Sequence, residues 1–317
     1  MTLEQLRLHI EDYLKLRGSL GLQTPPVRYN LRGLTDYLEG KEFEWPIRTQ
    51  TILDWIDAAS ADCGLYGQKM RLVHARCFLK HLQASVPDTE VPGTSLLPSP
   101  QRPKPRLYSN EEIARLLQAT SQLWKPGSLS QVTPYSIIGL LASTGLRAGE
   151  GVALTVSDVC LDADGPQLQV RKTKFYKSRS VPLHPSTAEH LRTYWNERAG
   201  TNPHGSSAAF FVSGKGKPLS YRILRRMCLR LIQFAGIKNA DDRRGPLLHS
   251  FRHRFAVQRL LAWYRENRDV RARIPHLSVY LGHLSKEETY WYLTATPELL
   301  TAAGEAFRHS CEPGGDV

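Results

Sequence analysis

The stretch Leu281–Leu293 reads L-G-H-L-S-K-E-E-T-Y-W-Y-L, and the reading of the rest of the chain turns on it. Gly282-His283 stops one element, and nine residues after His283 stands Tyr292, inside a short segment rich in helix formers. A tyrosine phenol ionises near pH ~10, so alone it is a poor nucleophile at neutral pH. It becomes a useful one where cations hold a phosphate in front of it, disperse the charge of attack and supply the leaving group's proton. Tyr290 and Tyr292 are two apart and cannot share a helix face, so only one of them can serve. A Y-W-Y run is also what core aromatics look like. The decision rests on whether the chain supplies the cations.

Working outward, the charge balance favours that search. Among 317 residues there are 42 Lys and Arg against 30 Asp and Glu, a net charge of +12. Such a balance suits a polyanionic partner, nucleic acid before an anionic membrane. The first residues carry Glu4, Glu11 and Asp12 among the leucines, with no basic segment followed by an apolar one, so export is not expected. The longest apolar run, Ile137–Ala142, is far too short for a membrane span. Cys63, Cys77, Cys160, Cys228 and Cys311 are scattered and never form C-x-x-C. They read as free thiols in a reducing, cytoplasmic setting with no structural zinc.

The length predicts two domains. Apolar residues at helical spacing mark four short helices: one from Leu3 ending near Arg17-Gly18, one through Leu31–Leu38 closing at Gly40, and two over about Arg48–Ala59 and Tyr66–Gln83. In the fourth, Met70, Val73, Cys77 and Leu82 are expected to face inward, while Lys69, Arg71, Arg76 and Lys80 form either a solvated face or one that follows DNA phosphates. Residues 1–90 are thus expected to form an all-α bundle. Residues 91–107 contain four prolines after Gly93 and read as an extended linker. A second domain over 108–310 opens at Ser109, three residues before Glu112, a capping-box signature. Its helices cover about Thr133–Ser143, Ser186–Glu197, Ser220–Ala235, Ser250–Glu266, Lys286–Leu293 and Pro297–Arg308. Between the first two, period-two segments Val159–Leu161, Gln167–Val170 and Ser180–Leu183 predict a small antiparallel sheet with a basic hairpin tip. Residues 311–317 read as a disordered tail. The fold class expected is mainly α with a small antiparallel sheet (α+β).

The cations come in three blocks. Arg147 follows a turn in T-G-L-R-A-G-E, where a guanidinium can point into a cleft, although an i,i+3 ion pair with Glu150 is also available. In L-H-S-F-R-H-R-F, His249 and Arg252 are three apart and share a helix face. Two arginines can hold the non-bridging oxygens of a phosphodiester in bidentate fashion. The hairpin R-K-T-K-F-Y-K-S-R-S-V-P-L carries Lys174, an ammonium able to reach a leaving oxygen as general acid. His249 and His253, i,i+4, lack a third metal ligand at suitable spacing. Ser213–Pro218 lacks the phosphate-loop frame and reads as a β-turn.

Taken together, T-G-L-R-x-x-E (Thr144–Glu150), the hairpin lysine before V-P-L (Lys174–Leu183), H-x-x-R (His249–Phe255) and L-G-H followed by Tyr292 resemble the tyrosine recombinase, phage integrase-like family over about residues 105–295. The four-helix region and proline linker resemble that family's core-binding domain. The resemblance implies that Arg147 and Arg252 grip the scissile phosphate and that His249 assists proton transfer at the tyrosine. It implies further that His283 bonds the phosphate, that Lys174 protonates the 5′-oxygen, with Lys172 and Lys177 as rivals, and that Tyr292, not Tyr290, is the nucleophile. Glu150 becomes a buried structural acid. Phe251 and Arg254 depart from the commoner leucine and small hydroxyl residue of the motif. The resemblance implies a site-specific DNA recombinase working without cofactor or metal, as a homotetramer on two double-stranded DNA sites. Related recombinases or accessory proteins are possible partners, and integration, excision or transposition of a mobile element is the expected role. The C-terminal segment Thr296–Phe307, with apolar Leu299, Leu300, Ala303 and Phe307, is expected either to dock on a neighbouring subunit, as the resemblance implies, or to cap its own domain. The alternatives are a type IB topoisomerase-like relaxase and a DNA-binding accessory protein that does not cut.

Overall fold

The computed structural model describes residues 1–59, 63–98, 105–162, 164–171, 178–201, 208–237, 247–294 and 296–311. The chain divides into two compact units, Met1–Pro103 and Lys104–Val317.

The first unit holds α1 (Leu3–Ser19), α2 (Pro25–Glu39), α3 (Thr49–Ala58) and α4 (Leu65–Leu82). Thr2 and Gln5 close a reciprocal capping box at the start of α1, and Pro25 begins α2, where its missing N–H has no intrahelical partner to lose. One apolar stripe from each helix builds the core: Leu6, Ile10 and Leu14; Leu31, Leu34 and Leu38; Ile52 and Ile56; Phe78 and Leu79. The face expected inward on α4 needs correction. Leu72, Ala75, Phe78, Leu79 and Leu82 are buried, whereas Val73 and Cys77 are exposed and Met70 is half-buried. Apolar residues surround α4, so helical spacing supports two registers. The register that buries Phe78 and Leu79 removes more apolar area from water than one built on Val73 and Cys77.

The second unit contains α5 (Asn110–Leu123), α6 (Leu129–Thr144), α7 (Ala148–Ala153), β1 (Val159–Cys160), β2 (Gln167–Val170), β3 (Arg179–Pro182), α8 (Pro185–Thr201), α9 (Tyr221–Phe234), α10 (Leu248–Arg265), α11 (Val270–Leu281), α12 (Glu287–Tyr290) and α13 (Pro297–Cys311). The sheet is antiparallel in the order β1-β2-β3, with Leu168 opposite Val181 and both buried. The mainly α, small-sheet class expected from the sequence is the one observed. The apolar α6 is the hub, packed against α5, α8 and α10. Two elements had no clear sequence signal. α7 is six residues long with two glycines, and α11 carries Pro275 inside it. Ser213–Pro218 is a tight turn, with Ser213 N–H donating to Lys217 O and Gly216 N–H to Ser213 O. Among the described residues no helix is long and apolar enough to cross a membrane.

A second apolar cluster joins Val257 and Leu260 of α10, Ile274 and Leu277 of α11, Tyr292 and Leu299. In the single chain the C-terminal segment caps its own domain, one of the two arrangements the sequence leaves open. α13 packs on its own α10, with Leu299 fully buried and Leu300 exposed. Docking in cis covers the apolar surface that Leu260 and Ile274 would otherwise leave to water. Residues 312–317, part of the expected tail, lie outside the described residues.

Candidate active site

Two helix C-termini build the site. α6 ends at Gly145 (φ 64°) and α11 ends at Gly282 (φ 67°), both left-handed. Glycine is required twice over at each position. A Cβ on Gly145 would lie 2.6 Å from the Phe255 ring, and one on Gly282 would lie 2.7 Å from Arg179 Nη1. Each turn therefore brings its carbonyls close to arginines from other elements.

Arg252, on the first half of α10, is 1% exposed. Its Nη1 donates to Gly145 O at 3.1 Å and its Nη2 to Leu281 O at 2.7 Å. Both acceptors belong to helix ends, whose partial negative charge offsets part of the cost of burying a guanidinium. Burial first, then the neighbouring Arg147 charge, pushes Arg252 down to about 10, so it remains a cation at neutral pH. Tyr292 and Glu150 act in the opposite direction on it. Its Nε is buried and has no hydrogen-bond partner among the described residues.

Arg147 caps α7. Its backbone N–H donates to Glu150 Oε2 at 3.0 Å, its Nη1 to Glu150 Oε1 at 3.0 Å and its Nη2 to Gly282 O at 2.9 Å. The i,i+3 ion pair and the placement at a cleft thus hold together. Glu150 is 9% exposed and also takes Arg179, with Nη1 on Oε1 at 3.1 Å and Nη2 on Oε2 at 2.8 Å. Burial alone raises the Glu150 carboxyl, but the Arg179 hydrogen bonds and charge, then those of Arg147, outweigh it and hold it below the ordinary range. Arg179 went unrecognised in the sequence because it reads as one more basic residue at the base of a basic hairpin.

Tyr292 follows α12 in a 3-10 turn and is 1% exposed, while Tyr290 is 37% exposed. The Tyr292 hydroxyl shares a 2.8 Å hydrogen bond with His253 Nδ1. His249 lies edge-on to His253, ring centroids 4.4 Å apart. The i,i+4 histidines therefore form an edge-to-face pair whose described bond to the phenol comes from His253, a residue considered in the sequence only as a metal ligand. The His283 ring lies parallel to that of Tyr292 at 6.2 Å. Its Nδ1 bonds the fully buried Thr289 hydroxyl at 2.7 Å, and its Nε2 lies 3.9 Å from Glu288. Arg147 and Arg252 thus meet at the turn that carries His283, Tyr292 lies beside His283, and His249 lies one ring further out, against His253. Lys174, with Lys172 and Lys177, lies outside the described residues. Among the described residues no group of three His, Cys, Asp or Glu side chains is arranged to hold a metal ion.

The two motif departures have structural accounts. Phe251 is fully buried and stacks on Tyr108 with ring centroids 4.4 Å apart. Arg254 bonds the side chain of Asn110 at the start of α5, and burial lowers its pKa. In the first unit, Lys80 is exposed and Lys69, Arg71 and Arg76 are half-buried; Arg71 Cζ lies 5.6 Å from the Trp55 ring.

The site thus sets a buried Arg252 and a half-buried Arg147 at one turn, near a tyrosine held by a histidine. Comparison with known proteins gives the family. Residues 106–298 match the Phage integrase family model. The chain is 36% identical over 305 residues to the putative integrase/recombinase y4rB of Sinorhizobium fredii, covering 94% of this chain and 95% of that one. It is 30% identical to tyrosine recombinase XerD of Rhizobium meliloti, covering 94% and 86%. The fold superimposes on the XerH site-specific recombinase bound to palindromic difH substrate in a post-cleavage complex, with TM-score 0.71 and 18% identity over 94% of this chain and 84% of that one. The chain belongs to the phage integrase family and is a tyrosine-type site-specific DNA recombinase.

Proposed function

We propose that this recombinase cuts and rejoins DNA through a covalent 3′-phosphotyrosyl intermediate at Tyr292, and that it serves integration, excision or transposition of a mobile element in the cytoplasm. The observation that carries the reading is the convergence on Leu281–His283 of Arg252 and Arg147, with the Tyr292 phenol in contact with His253. Arg147 and Arg252 hold the non-bridging oxygens and stabilise the charge that grows on them during attack. As Tyr292 Oη bonds to phosphorus and the bond to the 5′-oxygen breaks, the phenolic proton passes to the imidazole pair His253 and His249. His283 donates to a phosphate oxygen, and Lys174 protonates the leaving 5′-oxygen. A second strand's 5′-hydroxyl reverses the step. The phosphodiester energy stays in the tyrosyl link, so rejoining needs no external energy source.

Two exchanges between duplexes call for four active sites, which favours a homotetramer on two DNA sites, with related recombinases or accessory proteins setting direction. Lys69, Arg71, Arg76 and Lys80 are assigned to the DNA backbone. Because Tyr292 is buried, DNA binding must uncover it before attack.

The test is covalent trapping on nicked duplexes that the wild-type protein has selected from a random-sequence pool. Tyr292→Phe is expected to cut adduct formation by at least about 10³-fold, while Tyr290→Phe keeps it. An adduct lost in Tyr290→Phe and kept in Tyr292→Phe would overturn the assignment.

A further inference from the structure

We propose that Arg179 is a positioning residue for strand cleavage: by occupying both oxygens of Glu150 and bracing the Tyr280–Gly282 turn, it keeps Arg147 directed at the scissile phosphate. The inference rests on the recombinase reading above and adds a residue to it.

The geometry is specific. Arg179, 10% exposed, spends all three of its nitrogens on the site: Nη1 and Nη2 on Glu150, and Nε on Tyr280 O at 2.8 Å. Tyr280 O lies one residue before Leu281 O, which accepts from Arg252, and two before Gly282 O, which accepts from Arg147. Arg179 therefore sets the position of the turn from which both phosphate-gripping arginines are held. Gly282 follows from the same contact, since any side chain there would displace the Arg179 guanidinium.

The charges make the same point. Arg147, Arg179 and Arg252 are three cations around the single carboxylate of Glu150. With Arg179 neutralising Glu150, the charges of Arg147 and Arg252 remain for a phosphodiester that gains negative charge during attack. Without it, Glu150 is a largely buried carboxylate with Arg147 as its remaining described ion pair. A buried carboxylate draws its last cation onto itself. Arg179 also opens β3, so one side chain ties that strand to Glu150 and to the Tyr280–Gly282 turn.

The test uses the full-length protein and the selected nicked duplex in two forms, one with an ordinary scissile phosphodiester and one with a methylphosphonate there. The methyl group removes the phosphate's charge and with it most of the need for a well-aimed Arg147. On the phosphodiester, Arg179→Met is expected to slow adduct formation about 100-fold relative to wild type, with DNA affinity changed less than about threefold. On the methylphosphonate, the ratio of variant to wild type is expected to return to within about threefold. The double variant Arg179→Met/Glu150→Gln, which removes the carboxylate as well, is expected to recover at least about tenfold on the phosphodiester. Where Arg179→Met does not fold, Arg179→Lys, which keeps the charge but not the two-pronged contact, takes its place, with a loss of about tenfold confined to the phosphodiester.

Equal losses on both substrates, a double variant no better than the single, or no loss at all would overturn the inference. Failure of the recombinase reading is distinct: wild type would then form no adduct on either duplex.

Discussion

The basic residues of α4 and those around Leu281–His283 are the same side chains placed in opposite surroundings. On α4, Lys80 is exposed and Arg71 and Arg76 keep partial access to water. Around Leu281–His283, Arg252 is 1% exposed and Arg179 and Glu150 are nearly as enclosed. Exposed charges act through a screened field that fades beyond about 8–10 Å at physiological salt. Enclosed charges interact strongly and cannot be replaced one at a time, because each is part of another's hydrogen-bonding. The first region can therefore supply graded affinity and the second an all-or-none geometry.

Removing an enclosed charge gives the largest expected effect. Arg252→Ala is expected to lower the rate of adduct formation by about 10²–10³-fold. It also strips the Arg252 donor from Gly145 O, at about 1–3 kcal/mol for a buried group left unpaired, while Leu281 O keeps its longer contact with Arg147 Nη1. Single-turnover trapping and thermal unfolding measure the two losses. A variant that loses neither would mean that the buried cluster behaves like the exposed one.

A smaller effect is expected on α4. Reversing both Arg71 and Arg76 to Glu should weaken DNA binding by roughly tenfold to a hundredfold and reduce the salt slope by about one for each phosphate that is no longer neutralised. The cleavage rate at saturating protein should stay as in wild type. Binding titrations across salt concentrations decide it, and an unchanged slope returns those arginines to a solvated face.

The smallest effect concerns pH. Arg179 and Arg147 hold the Glu150 carboxyl below its ordinary value of 4.5, so its contribution to stability is complete above that pH. That contribution is lost as pH falls below 4.5 through the folded value. Glu150→Gln lacks the titration. The gap in Tm between wild type and Glu150→Gln should narrow as pH is lowered from about 6 to about 3, each kcal/mol appearing as about 2–4 °C. A gap that does not change with pH would mean that Glu150 is not ionised in the fold.

Legibility followed the range of the information. The helices, the three strands and the Ser109–Glu112 cap were readable because spacing and capping act within a few residues. The α4 register was not, since apolar residues on all sides leave two faces in competition until packing selects the one with Phe78. α7 and α11 were weak for the opposite reason, with glycines in one and a proline in the other against their helical pattern.

The sequence by itself determined the chemistry available: a tyrosine nine residues beyond His283, one arginine just after the helix break at Thr144-Gly145 and another on a helix face, and a histidine three residues before the second arginine. These are facts of residue type and short spacing, and they suffice to point to phosphoryl transfer. Tertiary structure alone decided which groups hold them. Arg252 finds Gly145 O across 107 positions, Arg147 finds Gly282 O across 135, Arg179 finds Tyr280 O across 101, and His253 meets the Tyr292 hydroxyl across 39. The long-range acceptors just named for the three arginines are backbone carbonyls, which every residue carries alike. Only packing, which brings two helix ends together and fixes their glycine turns, makes those carbonyls specific.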